Sequence, residues 1–228
     1  MGLNYSIRTY VREENLSKCL YWIKDNTDSD NNSFNVVINN KNYTLHGDGI
    51  NFYDSNHQNI DESNFLDKKG NYQDFNAIYF STSIIFDIDP KIISSVGDWT
   101  LEFDGSRLED FIQNFQSSYL GNGKISIGNF ETSISKLNNK PIYEIDFGAV
   151  TSDISKILES SHSVRKWMKD FSKASESILT YIDLEHNGKI ITYYKGIDLE
   201  IIIKNSIEPY SESLLNFFKD YYNLEFDS

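Results

Sequence analysis

The 228-residue chain has a single cysteine, so no disulfide can form within it, and three prolines, too few for a Pro-rich low-complexity chain. Positive charge is also scarce. Lys+Arg 21 against Asp+Glu 34 leaves a formal net charge of -13, and a pI near 4.7 lacks the basicity of a typical nucleic-acid binder. Long apolar runs are missing as well: Ile84-Ile85-Phe86 and Ile201-Ile202-Ile203 fall far short of the roughly 18–20 residues needed to cross a bilayer. Met1 to Arg8 enters an alternating pattern without the basic and apolar regions of a secretory signal. Gly2 and Ser6 fit a myristoylation pattern, but no polybasic patch or nearby second cysteine follows. A cytoplasmic protein without membrane association is expected, its oligomeric state left open.

What is present suits a folded chain. Hydrophobic residues make up 39% and charged residues 24%, enough apolar material for a core without a charge load that would keep the chain unfolded. At roughly 100–200 residues per domain the length suits one large domain or two small ones. Asn and Ile are abundant, as AT-rich codons produce, which points to a bacterial or phage source.

Tyr5 to Val11 alternates as a strand does, and Glu13-Glu14 place acids in the first turn of a helix carrying Leu16, Cys19, Leu20 and Ile23 on one side. Phe34 to Ile38 and Tyr43 to Leu45 flank Asn39-Asn40-Lys41-Asn42, a sequence suited to a tight hairpin. Residues 48–74 read as a long polar surface excursion. Strands are expected over Ala77 to Ile88, Trp99 to Phe103 and Lys124 to Phe130, with a helix over Leu108 to Phe115. Asn138-Asn139-Lys140-Pro141 clusters turn residues and marks a boundary. Beyond it come a strand at Ile142 to Phe147, then one long helix capped by Thr151 or Ser152 whose stripe runs from Ile154 to Phe171. Ile178 to Leu184 and Lys189 to Tyr194 should pair across a type I′ turn at Asn187-Gly188. A strand at Leu199 to Ile203 and a helix starting at Pro209 complete the chain.

The fold class expected is α+β, with mixed or antiparallel sheets, a few amphipathic helices and a β-α-β-β order at both ends, 5–46 and 142–195. A two-lobed arrangement would divide it into an Asn-rich acidic lobe, 1–138, and a β-α-β-β-β-α lobe, 139–228. One continuous domain is the alternative.

Catalytic motifs are sparse. Asp28-Ser29-Asp30 opens like a calcium loop, but Ser33 replaces the sharp-turn glycine and Asn39 the bidentate glutamate. Gly121-Asn122-Gly123-Lys124 lacks the first glycine of a phosphate loop and reads as a turn. Asp146-Phe147-Gly148 matches the kinase magnesium tripeptide in letters alone. Cys19 sits on an apolar stripe, where a buried inert thiol is expected. His46, His57, His162 and His186 have no zinc-ligand spacing. No metal or cofactor is expected.

Charge distribution carries the functional expectation. Acids outnumber bases across 25–74 and again from Asp87 to Asp110, and 14% aromatic residues supply anchors beyond those a core consumes. A negative, tyrosine-rich surface attracts and clamps a cationic protein. The sequence therefore points away from an enzyme and toward an acidic protein-binding module that neutralises or regulates a basic partner such as a toxin or effector, in the manner of immunity, inhibitor or phage anti-defence proteins. The partner-binding residues expected are Asp28, Asp30, Asp54, Asp61, Glu62, Glu102, Asp104, Glu109 and Asp110. The alternative is a small-ligand-binding or hydrolytic site between the lobes, using His162 or Arg107. Arg165, Lys166, Lys169 and Lys173 form a basic stripe that reads as a solvated helix face.

Overall fold

A computed structural model describes residues 3–30, 32–53, 59–60, 72–73, 76–96, 118–137 and 140–204. Strand β1 (Ser6–Arg12) alternates as its sequence requires and is followed by a 3-10 turn at Glu13–Asn15 and helix α1 (Leu16–Asp25). The paired acids thus occupy the turn that leads into the helix, one step earlier than expected. Hairpin β2 (Ser33–Ile38) and β3 (Lys41–His46) turns on Asn39 and Asn40, both at positive φ, 52° and 60°. Those angles are what a two-residue type I′ turn demands, and Asn tolerates them better than most residues.

The chain then crosses from a small sheet to a large one at Gly47, where an added Cβ would lie 2.5 Å from the Ser81 carbonyl oxygen. Strand β4 (Asp48–Tyr53), β5 (Asn59–Ile60) and β6 (Tyr72–Gln73) follow. The surface excursion expected from residue 48 therefore begins as a paired strand, since β4 hydrogen-bonds to β7 (Ala77–Asp87) and buries Phe52. Helix α2 (Pro90–Val96) precedes β8 (Tyr119–Gly121), β9 (Lys124–Lys136) and β10 (Ile142–Ala149). The turn between β8 and β9 places Gly121, Asn122 and Gly123 at positive φ, which accounts for the glycines without a phosphate.

The single long helix expected after β10 is instead two, α3 (Ser152–Ser160) and α4 (His162–Ala174). The apolar stripe continues across the break, but Ser161 is extended at φ -80°, ψ 133°, and its hydroxyl accepts from the Val164 amide at 3.2 Å as an N-cap. Asp89 holds the break in place. Its Oδ1 accepts from the Lys91 and Ile92 amides at the start of α2, and its Oδ2 accepts from the hydroxyls of Ser161 and Ser163 and from the Ser163 amide. Burial works against the Asp89 carboxylate, yet these donors hold its pKa below the ordinary value. One carboxylate thereby starts two helices, and Asp89→Ala should cost about 2–3 kcal/mol, a lost cap plus charge-assisted hydrogen bonds. Thermal unfolding of Asp89→Ala checks this, with Asp89→Asn expected to lose less.

Strands β11 (Leu179–Asp183), β12 (Lys189–Tyr194) and β13 (Ile197–Ile203) complete the described chain. β11 and β12 pair as expected, but the connection is a 3-10 turn at Glu185–Asn187, with Glu185 at φ 53° and Gly188 at φ 109°. Positive φ falls on Glu185 instead of Asn187, so the type I′ geometry is not formed. The strand expected at Trp99 to Phe103, the helix at Leu108 to Phe115 and the helix from Pro209 lie outside the described residues.

The class is α+β. The large sheet has ten strands in the order β13-β12-β11-β1-β10-β9-β7-β4-β5, with β8 on β9 and every pair antiparallel; a three-stranded sheet has the order β3-β2-β6. β1 lies between β10 and β11, so strands from both sides of residues 138–139 alternate in one sheet. Helices α1, α3 and α4 pack on the sheet face that carries Ile7, Ile145, Phe147, Ile134 and Ile182. Cys19 is buried there, and burial raises the pKa of its thiol, leaving it in the unreactive protonated form. Among the described residues no helix is long and apolar enough to cross a membrane.

Candidate functional site

Alternation sends every second residue of each strand to the opposite face. On β1 these are Ser6, Arg8 and Tyr10; on β10 they are Glu144 and Asp146; on β11 they are Leu179, Tyr181 and Asp183. Register then lines up one row across six strands: Asn51 of β4, Tyr79 of β7, Ser133 of β9, Asp146 of β10, Arg8 of β1 and Tyr181 of β11. A second row beside it holds Tyr53, Ala77, Ser135, Glu144, Tyr10 and Leu179. The face away from the helices is thus charged and aromatic in its middle.

Arg8 is the hub. Its Nε lies 3.7 Å from both Asp146 and Asp183, and its Nη1 lies 3.9 Å from Glu144. Burial works to lower the Arg8 pKa, but Asp146, Tyr181, Glu144 and Asp183 together hold it above the ordinary value. Lys189 is almost wholly buried, its Nζ 3.2 Å from Asp183 and 5.4 Å from the centre of the Tyr181 ring. Three carboxylates therefore share two cations, in a recess where the side chains of Arg8, Glu144, Asp146 and Asp183 keep 25%, 19%, 23% and 13% exposure.

Asp146 is the group most altered by this setting. Burial pushes its carboxyl up to about 6, Arg8 and Ser6 oppose the rise, and Glu144 and Asp183 add to it. Its buried Oδ1 accepts no hydrogen bond. Tyr10 and Tyr181 stack at 6.3 Å with their hydroxyls 3.4 Å apart, and burial raises the pKa of both. Tyr79 is 39% exposed, meets Tyr53 edge-on at 4.8 Å, and has its pKa raised by burial and then by Tyr53, Glu144 and Asp146. The arrangement can hold positive charge against a ring and carboxylates, and burial makes Asp146 hold its proton to higher pH than an ordinary carboxyl.

Of the acids expected to bind a partner, Asp28 and Asp30 fall within the described residues. They sit in the loop after α1, with the Asp30 amide donating to Asp28 Oδ1 at 3.1 Å and the Asp28 amide donating to the Ser83 carbonyl. Asn32 donates to Asp48 at 2.5 Å, bringing the start of β4 to the same loop. Asp54, Asp61, Glu62, Glu102, Asp104, Glu109 and Asp110 lie outside the described residues, as does Arg107. His162 is exposed at the first position of α4, beside the Asp89 caps. The basic stripe is more than a solvated face: Lys166 pairs with Asp87 and Lys173 with Asp198, both at 2.7 Å. Asp87 also takes Lys124 at 2.7 Å, so it is an intramolecular partner.

Sequence reasoning passed over Glu144, Asp146, Asp183 and Arg8. Strand alternation in Ile142-Tyr143-Glu144-Ile145-Asp146-Phe147 already put both acids on one face; what it lacked was the register that sets Arg8 against them. An α+β protein with a charged, tyrosine-bearing sheet face is the class these features define. No family model, curated protein or solved structure matches the chain.

Proposed function

We propose that this chain is a non-enzymatic, acidic binding module that neutralises or regulates a basic protein partner, of the immunity, inhibitor or phage anti-defence kind. The observation that carries the reading is the sheet face on which Glu144, Asp146 and Asp183 share Arg8 at 3.7–3.9 Å beside the exposed ring of Tyr79. Carboxylates in a recess attract cations more strongly than the same groups in open solvent, and tyrosine supplies contact area at small entropic cost. Lys18, Lys136 and Lys173 are engaged by Glu176, Glu13 and Asp198, which favours negative charge on the surface that remains. Asp28 and Asp30 supply a longer-range field that speeds encounter.

The second reading, a ligand site between segments 1–138 and 139–228, draws on Asp146. It lies where β10 of the later segment meets β1 of the earlier one, and a carboxyl near pKa 6 suits proton transfer.

Affinity capture from a bacterial or phage-infected lysate, at low and then high salt, separates the two readings. Basic proteins retained at about 50 mM salt and released at about 500 mM are expected, as screening of an electrostatic interface requires. Affinity of an identified partner should fall when Glu144 and Asp146 become Gln and Asn. Retained proteins with no excess of basic residues, or a bound metabolite in native mass spectrometry of the chain, would contradict the binding-module reading.

A further inference from the structure

The large sheet ends differently on its two sides. β5 at one end is two residues long, whereas β13 at the other runs for seven, Ile197–Ile203. Among the described residues no strand pairs with the outer side of β13. An edge of that length presents a row of N–H and C=O groups on which another strand can form. Its side chains are open to solvent as well: Ile202 is 63% and Ile197 51% exposed, and Asp198, Glu200 and Lys204 are exposed too.

β13 alternates along its length. Leu199, Ile201 and Ile203 turn to the apolar cluster of Tyr10, Tyr181 and Ile191. Asp198 turns to the helix side, where it meets Lys173 of α4 at 2.7 Å, and Glu200 lies within electrostatic reach of Arg165 on the same helix. Carried one residue past the strand, the alternation puts Asp198, Glu200, Ile202 and Lys204 in one row. One face of the edge is therefore apolar, and the other passes from acidic to basic.

That polarity selects a partner. A second copy joined antiparallel about a two-fold axis normal to the sheet keeps each face on its own side, so every opposed pair must come from the same row. With the axis at Leu199, Asp198 opposes Glu200; with the axis at Glu200, that residue opposes itself. Both set like charges against each other, which destabilises a strand pair. With the axis at Ile202, Asp198 passes beyond the described end of the partner strand. With the axis at Ile201, Asp198 opposes Lys204 of the partner, Glu200 opposes Ile202, Leu199 opposes Ile203, and Ile201 meets itself. Symmetry repeats each of these pairs, giving two opposite-charge pairs and an unbroken apolar row.

We propose that β13 is a homodimerisation edge on which a second copy of this chain pairs antiparallel about an axis at Ile201, joining the two large sheets into one. The edge is separated from the carboxylates of β10 by β12, β11 and β1, so the dimer stands whether or not a basic partner binds that face. A single strand pair is a small interface, and a dissociation constant on the order of 10 µM is expected.

Sedimentation velocity of the full chain across about 1–200 µM should show monomer passing to dimer. Ile202→Asp sets a carboxylate opposite Glu200 of the partner and should weaken association about tenfold. Ile202→Lys sets an ammonium there and should keep or tighten it. Both changes fall on an exposed side chain, and circular dichroism of each checks that the fold is kept. Ile201→Cys should give a covalent dimer with oxidised glutathione, because opposed Cα atoms about 4.5–5.5 Å apart are within disulfide reach. Glu200→Cys and Ile202→Cys should link far less, and Cys19 is buried and takes no part. A chain that stays monomeric throughout, an Ile202→Lys variant as weakened as Ile202→Asp, or linking at 201 no greater than at 200 and 202 would overturn the interface.

Discussion

Trp167→Ala is expected to cost about 4 kcal/mol, within the 3–5 kcal/mol range of large aromatic truncations in cores. The indole is 6% exposed and meets four rings: Trp22 at 4.7 Å, Phe147 at 5.5 Å, Phe171 at 5.5 Å and Phe86 at 5.6 Å. These rings come from α1, β7, β10 and α4, so one side chain joins two helices to two strands of the large sheet. Rigid aromatic neighbours on every side collapse poorly into the vacated volume, which puts the cost near the upper part of the range. Stability of a domain is typically about 5–15 kcal/mol, so the variant should unfold at far lower denaturant. Trp167→Phe should cost less than about 2 kcal/mol, because it keeps a ring and removes an indole N–H that has no hydrogen-bond partner. Equilibrium unfolding in guanidinium chloride decides it; a loss under about 2 kcal/mol for the alanine variant would show that the ring cluster does not organise the core.

Asp146→Asn is expected to stabilise the protein at pH 8, by as much as about 3 kcal/mol, and to flatten its stability between pH 6 and pH 4. The folded carboxyl sits at about 6 against 3.8 for the free group, and each unit of difference is worth about 1.36 kcal/mol. The folded state holds this proton more tightly than the unfolded chain does. Stability from Asp146 is therefore greatest when both states are protonated, below about pH 4, and is lost as the pH rises through about 6. Glu13, Asp87, Asp89 and Glu176 have lowered pKa values and act in the opposite sense. Their contribution is present above the ordinary carboxylate pKa and is lost below it, so the Asp146 signal occupies its own window. Urea unfolding at pH 8, 6, 5 and 4 measures it. A variant less stable than the parent at pH 8 would mean that the ion pair with Arg8 outweighs the burial of the carboxylate.

Local chemistry was legible wherever it acted alone. Asn39 and Asn40 turn a hairpin because their own side chains tolerate positive φ, and the stripe of Ile154, Ile157, Leu158, Val164, Trp167, Met168 and Phe171 is buried throughout. What escaped the sequence depends on distant partners. The break at Ser161 is fixed by Asp89, 72 positions away. Asn187-Gly188 carries a strong turn signature, yet the Asp183 side chain accepts from the Glu185 amide at 3.1 Å and the connection is a 3-10 turn over Glu185–Asn187 with positive φ at Glu185, two positions before Asn187. The charged face is the same case on a larger scale. Arg8, Asp146 and Tyr181 are ordinary alternating strand residues until β1 is inserted between β10 and β11, and only that long-range register makes them neighbours. The expected acids at Asp28 and Asp30 were found by local surplus, which marks where charge lies without marking where it is desolvated.

The central claim is that carboxylates of the sheet face receive a basic partner, and its most direct measurement is the salt dependence of affinity for a captured basic partner, compared between the parent chain and a Glu144→Gln, Asp146→Asn double variant. Affinity falling steeply with salt, with a loss of tenfold or more in the double variant, is the result expected. An affinity indifferent to salt, or equal in the two proteins, would contradict it.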